Sequence, residues 1–172
     1  MKVIFLDVDG VLNTPKFIRR QSSFSSIDPV LVDIVVHIVN KTGCKIVLSS
    51  SWRVDENDKK IVFDTFKDRN INIIDSTPII KDRMRFVERR EEIQAWLDNN
   101  KDVTGFAIID DCEDASIGDN FFQTNEDIGI TVSIAEKIIQ HLNLKAGEIV
   151  VGDKISEDLQ ELISRRIRTG KF

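Results

Sequence analysis

Asp7-Val8-Asp9-Gly10 closes the first apolar run of the chain, Val3-Ile4-Phe5-Leu6. Asp110-Asp111 closes another, Phe106-Ala107-Ile108-Ile109, and Ser49 closes a third, Cys44-Lys45-Ile46-Val47-Leu48. If these runs are strands of one parallel sheet, the crevice beyond their carboxyl ends gathers four carboxylates and a hydroxyl. Carboxylates so close raise one another's pKa unless a cation neutralises them. A hard divalent ion with oxygen ligands does so, and Mg²⁺ is the usual choice where a phosphate completes the coordination. His37 and His141 both fall in helical stretches and offer no zinc cluster. The period-two spacing of Asp7 and Asp9 lets both side chains point the same way. One could then attack an electrophile while the other handles the leaving group's proton. Gly10 permits a sharp turn beside an anion. Asp-Gly is also ordinary turn chemistry, but a second acidic strand end favours the functional reading.

A cation should complete such a site. The stripe Phe86, Ile93, Trp96 and Leu97 predicts a helix over 86–99, with Arg89 and Arg90 on the same inward face. Both sit in the first turn, where a cation opposes the helix dipole, so helix stability does not explain them. Orienting an aspartate or holding a phosphate does.

The elements that must position these residues follow from periodicity. Asn13 to Asp28 is polar and reads as a loop. Asp28-Pro29 caps a helix whose apolar positions, Leu31, Ile34, Val35, Ile38 and Val39, recur until Gly43. A polar helix over 57–69 precedes a strand at 71–74. A fifth strand is expected at 121–124, and Ser133-Ile134-Ala135-Glu136 has the form of a capping box opening a helix to Asn143. Strands alternating with helices predict an α/β fold, a mostly parallel sheet with helices on both faces. Residues 1–144 read as one domain and 145–172 as an extension, either an added strand and helix or a docking tail.

Composition narrows the class. The chain has 172 residues, 41% hydrophobic and 31% charged, which excludes a collagenous or largely disordered protein. Cys44 and Cys112 support no disulfide framework, and no apolar run spans a bilayer. The opening MKVIFLDVDG lacks the pattern of a signal peptide. A reduced, cytoplasmic protein without membrane partners is the expectation. Net charge is −5 but unevenly placed. No Lys or Arg lies between Lys101 and Lys137, whereas 81–90 carries Lys81, Arg83, Arg85, Arg89 and Arg90, and Arg165, Arg166, Arg168 and Lys171 end the chain. Such local fields can hold a metal and steer an anion.

Val3 to Asn13, Ile46 to Ser49, a basic residue, and Ile108 to Asp111 together resemble the four motifs of the haloacid dehalogenase (HAD) superfamily. Ile46 to Arg53, Thr77-Pro78, Arg89 to Leu97, Phe122 to Thr124 and Gly129 to Thr131 are similar, more narrowly, to a small HAD domain of RNA-repair and phage-type proteins. Polynucleotide-kinase phosphatase domains look related. The resemblance implies a three-layer Rossmann-like core and assigns roles. Asp7 is the nucleophile that becomes an aspartyl-phosphate, and Asp9 the general acid that then activates water. Ser49 binds the phosphoryl group, and Arg89 stabilises it. Asp7, Asp110 and Asp111, with the Asp9 carbonyl, hold Mg²⁺, and Asp114 supports the metal from outside. Ser50, Gly10, Arg53 and Arg90 are further expected phosphate contacts, although Arg90 stands where the family usually has Gly.

Short spacings between the motifs leave no room for a large cap domain, so the site should be open, which also leaves room for oligomerisation. The expected function is Mg²⁺-dependent hydrolysis of a phosphomonoester, on a nucleotide or a polynucleotide end. The basic segment 81–90 with Lys16, Arg19 and Arg20 offers phosphate contacts there. The alternatives are another small phosphoester, or a catalytically weak module that binds phosphate or metal.

Overall fold

The computed structural model describes residues 1–21, 26–144 and 164. Five strands, β1 (Lys2–Leu6), β2 (Lys45–Leu48), β3 (Ile73–Ser76), β4 (Gly105–Asp110) and β5 (Phe121–Gln123), form one sheet in the order β3-β2-β1-β4-β5. Every neighbouring pair is parallel. Helices α1 (Pro15–Ile18), α2 (Pro29–Thr42), α3 (Glu56–Lys67), α4 (Arg89–Asn99) and α5 (Val132–Leu144) connect and cover the strands.

Burial on both faces explains why β1 is apolar without alternation. Its Ile4 and Leu6 enter one core with Leu31, Val35 and Ile38 of α2, Val62 and Phe66 of α3, and Ile138 and Leu142 of α5. Its Val3 and Phe5 enter the other, with Ile93 and Trp96 of α4 and Ile108 of β4. Trp96 meets the Phe5 ring edge-on at 5.4 Å, and its indole N–H donates to Asp75 on β3 at 2.7 Å. The result is the three-layer, Rossmann-like architecture expected. No large cap is inserted among the described residues, and no helix among them is long and apolar enough to cross a membrane.

α2 begins and ends where its punctuation dictates. Asp28 accepts from the Val30 N–H at 2.9 Å, and Gly43 closes the helix at φ 66°. Four expectations shift. Pro15–Ile18 is a helical turn inside the expected loop, capped by Thr14, which accepts from the Phe17 N–H. β3 starts at Ile73 rather than 71, because Asn70 adopts φ 59° and the Ile71 N–H folds back to the Phe66 carbonyl. α4 starts at Arg89 rather than 86, where Glu88 and Glu91 form a capping box, so Phe86 lies outside it and is 76% exposed. Finally, α5 is capped by Thr131, which accepts from the Ile134 N–H, and not by Ser133. The expected extension at 145–172, with its terminal basic cluster, lies outside the described residues, Ser164 apart.

Candidate active site

Sheet register brings the strand ends together. The Asp7 N–H donates to the Ile109 carbonyl and the Ser49 N–H to the Leu6 carbonyl, so Asp7 sits between Asp110 and Ser49. The Thr77 N–H continues the row to Leu48, and the Thr124 N–H to Asp110. Carboxylate oxygens of Asp7, Asp110 and Asp111 all lie within 4.8 Å of one another.

Asp7 and Asp110 are 7% and 2% exposed. Burial pushes the Asp7 carboxyl up to about 6, against hydrogen bonds from Ser50 and the Val8 backbone and the charge of Arg89. Burial pushes Asp110 up to about 8, and the Asp7 charge adds to it. Its Oδ1 accepts from the Cys112 N–H at 2.8 Å. Asp111 is also raised, by burial and then by Asp9 and Asp114. Oδ1 of Asp7 and Oγ of Ser49 are buried without a hydrogen-bond partner. Buried polar atoms are normally satisfied. An all-oxygen donor set, crowded and unneutralised, suits a hard cation such as Mg²⁺.

The chain after β1 makes a tight turn in which the N–H groups of Val11, Leu12 and Asn13 all converge on the Val8 carbonyl. Gly10 occupies it at φ 66°, directly against Asp111, and its carbonyl accepts from the Thr124 hydroxyl at 2.8 Å. This turn carries Asp9 to the surface, where both carboxylate oxygens are held. Asn13 Nδ2 donates to Oδ1 at 2.9 Å, and Trp52 Nε1 donates to Oδ2 at 3.0 Å.

The cations divide. The Arg89 charge lies near enough to lower both Asp7 and Asp110, and the Asp7 charge also acts on Arg53. Arg89 lies 3.6 Å from Glu92, and its backbone N–H donates to Asp114 Oδ2 at 3.3 Å. Arg90 pairs with Glu88 on the exposed side of α4. Arg53 is also already engaged. Its buried guanidinium donates to the Ser50, Thr77 and Pro78 carbonyls and pairs with Glu92, clamping the ends of β2 and β3 to α4. Ser50 is fully buried; it caps the 3-10 turn Ser51–Arg53, besides its hydrogen bond to Asp7. His141 binds the Phe106 carbonyl and Asn120.

Sequence reasoning did not single out Glu92, Asn13 or Trp52 as parts of the site. Glu92 carries the available signal: an acidic residue on the inward stripe of α4, three residues after Arg89 and one before Ile93.

A family model described as the HAD domain in Swiss Army Knife RNA repair proteins matches residues 3–135. Neither a curated protein nor a solved structure matches the chain.

Proposed function

The chain belongs to the family of HAD domains found in Swiss Army Knife RNA repair proteins, and from that membership and the site's geometry we propose a Mg²⁺-dependent phosphomonoesterase acting on a nucleotide or polynucleotide end. The observation that carries this reading is the buried row of Asp7, Ser49 and Asp110, with Asp7 Oδ1 and Ser49 Oγ unpartnered and Arg89 facing them.

In the first step a carboxylate oxygen of Asp7 attacks phosphorus. The bond to the ester oxygen breaks as Asp9 delivers its proton to that oxygen, releasing an alcohol and leaving an aspartyl-phosphate. In the second step Asp9, now ionised, takes a proton from water as the water oxygen attacks phosphorus, and the phosphoryl–Asp7 bond breaks. Inorganic phosphate leaves, and both aspartates return to their starting states. Arg89 and the Ser49 hydroxyl hold the phosphoryl oxygens as charge builds on them. Asp7, Asp110 and Asp111, with the Asp9 carbonyl, would hold Mg²⁺, which when bound supplies the positive charge that lets an anionic nucleophile approach an anionic phosphate. Arg53 positions strand ends in this scheme and touches no phosphate.

A polynucleotide end is supported by the segment before α4. Lys81, Arg83, Met84 and Phe86 are exposed there, Met84 at 92%, and Arg85 ties the segment to Glu91 through two hydrogen bonds. Cations with exposed apolar and aromatic side chains suit a single strand, whose phosphates and bases they contact in turn. A cleft of about 520 Å³ lies at the end of β3, lined by Arg53, Lys59, Ser76, Thr77 and Ile79 among others.

The test is a panel of p-nitrophenyl phosphate, mononucleotides, 3′- and 5′-phosphorylated oligonucleotides and sugar phosphates, assayed with Mg²⁺ and with EDTA. Mg²⁺-dependent turnover, fastest on an oligonucleotide end, is expected. No turnover of any substrate would leave a phosphate- or metal-binding module, and a preference for sugar phosphates would overturn the nucleic-acid assignment.

A further inference from the structure

We propose that Trp52 is a positioning residue for Asp9, its indole N–H fixing the carboxyl group that exchanges a proton with the leaving oxygen and then with water. The proposal rests on the phosphatase reading and adds a residue to it.

Asp9 is exposed, unlike its buried neighbour Asp7, so packing alone does not fix its side chain. An exposed carboxylate samples several rotamers, and a proton donor must stand within hydrogen-bond reach of the atom it serves. Two donors restrain it here. Asn13, four residues along the same turn, holds Oδ1 at 2.9 Å. Trp52 holds Oδ2 at 3.0 Å from a different part of the chain, just beyond β2. Trp52 is 7% exposed and lies in the 3-10 turn Ser51–Arg53, whose start is capped by Ser50. Arg53, the next residue, is anchored by its ion pair with Glu92 and its bonds to the Thr77 and Pro78 carbonyls. The indole is therefore a buried donor on a turn braced from outside, whereas Asn13 belongs to the same short turn as Asp9. Indole N–H donates only, and each oxygen of Asp9 retains acceptor capacity. The restraint thus leaves Asp9 able to carry and give up its proton.

The chemistry predicts an asymmetric loss. Trp52→Phe keeps the ring and removes the N–H. A leaving group that needs protonation, such as a nucleoside hydroxyl, should suffer; p-nitrophenolate, which departs unprotonated, should not. We expect kcat/KM, which reports formation of the aspartyl-phosphate and not its later hydrolysis by water, to fall about tenfold for a nucleoside monophosphate, part of the 10²–10⁴-fold that acid–base assistance typically supplies, and less than threefold for p-nitrophenyl phosphate. A second readout needs no activity. The protein has two Trp, and the Trp96 indole donates to Asp75, so the two indole N–H resonances report on separate bonds. Asp9→Ala, at an exposed position, should move the Trp52 resonance and leave that of Trp96. Equal losses on both substrates in Trp52→Phe, no loss on either, or an unmoved Trp52 resonance in Asp9→Ala would each overturn the proposal. Wild-type protein that turns over no substrate of the full panel, oligonucleotide ends included, instead overturns the phosphatase reading, while the resonances still decide whether Trp52 holds Asp9.

Discussion

Replacing Gly10 by Ala tests the geometry of the proposed metal site through a residue that carries no charge. Gly10 has φ 66°, and a Cβ built there would stand 2.5 Å from Asp111 Cγ and 2.6 Å from its Oδ2. Ordinary contact begins near 3.4 Å, so the Asp111 carboxylate must retreat by roughly 1 Å. Two costs follow. The left-handed backbone costs a side-chain-bearing residue about 1–2 kcal/mol, and in a protein of this size each kcal/mol lowers Tm by about 2–4 °C. Displacement of a metal ligand by that distance should weaken Mg²⁺ binding by at least about tenfold, since coordination tolerates only small departures from ideal distances. Gly43 separates the two effects. It has the same φ of 66° with nothing within 4 Å of its added Cβ. Gly43→Ala should therefore show the backbone cost alone, with unchanged Mg²⁺ affinity. Thermal unfolding and Mg²⁺ titration by calorimetry, run on both variants, make the comparison. Mg²⁺ affinity within twofold of wild type in Gly10→Ala would refute Asp111 as a ligand held in this position. Equal affinity losses in the two variants would refute the contact as the cause.

Other perturbations probe the site's charges. Asp7→Asn should abolish turnover while the protein stays folded, because it removes the nucleophile and relieves Asp110; residual activity near wild type would end the covalent mechanism. Without metal, stability should fall as pH rises. Asp7 and Asp110 have folded-state pKa values of about 6 and about 8, above their ordinary range, so the folded state holds protons more tightly than the unfolded one. Their stabilising contribution is complete below about pH 4 and is lost as pH passes through about 6 and about 8. Urea midpoints in EDTA between pH 4 and 9 measure this, Asp110→Asn should flatten the slope, and a midpoint indifferent to that substitution would contradict the coupling. Glu92→Gln leaves the buried Arg53 guanidinium without its charge partner and should cost about 3 kcal/mol in urea unfolding; a loss under about 0.5 kcal/mol would show the clamp to be dispensable.

Asp7, Asp110 and Asp111 are legible in sequence because they stand where the apolar runs Val3–Leu6 and Phe106–Ile109 stop. Parallel strands put all such ends on one side, so a linear reading of where apolar runs stop becomes a spatial statement. The choice between Arg89 and Arg90 is less accessible. Both fit a helix starting at Phe86, and only the actual start at Arg89, set by Glu88 and Glu91, turns one inward and the other toward Glu88. Arg53 shows a different limit. Its sequence neighbours do not reveal that Glu92, 39 positions away, pairs with it. Nor does the sequence around Trp52 show that its N–H meets Asp9, 43 positions away. Local pattern reports periodicity and strand ends; it cannot report which buried partner a polar group has found.

The central place of β1 sets an order on the chain's synthesis. The first strand made has β2 on one side and β4 on the other, and about 60 residues separate the end of β2 from the start of β4. At translation rates of about 5–20 residues per second, those residues occupy several seconds. Throughout that interval one edge of the most apolar strand is unpaired, and that edge bears Asp7. The acidic cluster needs Asp110 as well as Asp7, so it cannot form on the growing chain before β4 pairs with β1. Cation binding at the proposed site would therefore report the pairing of β4 with β1 rather than local folding of the first half of the sheet.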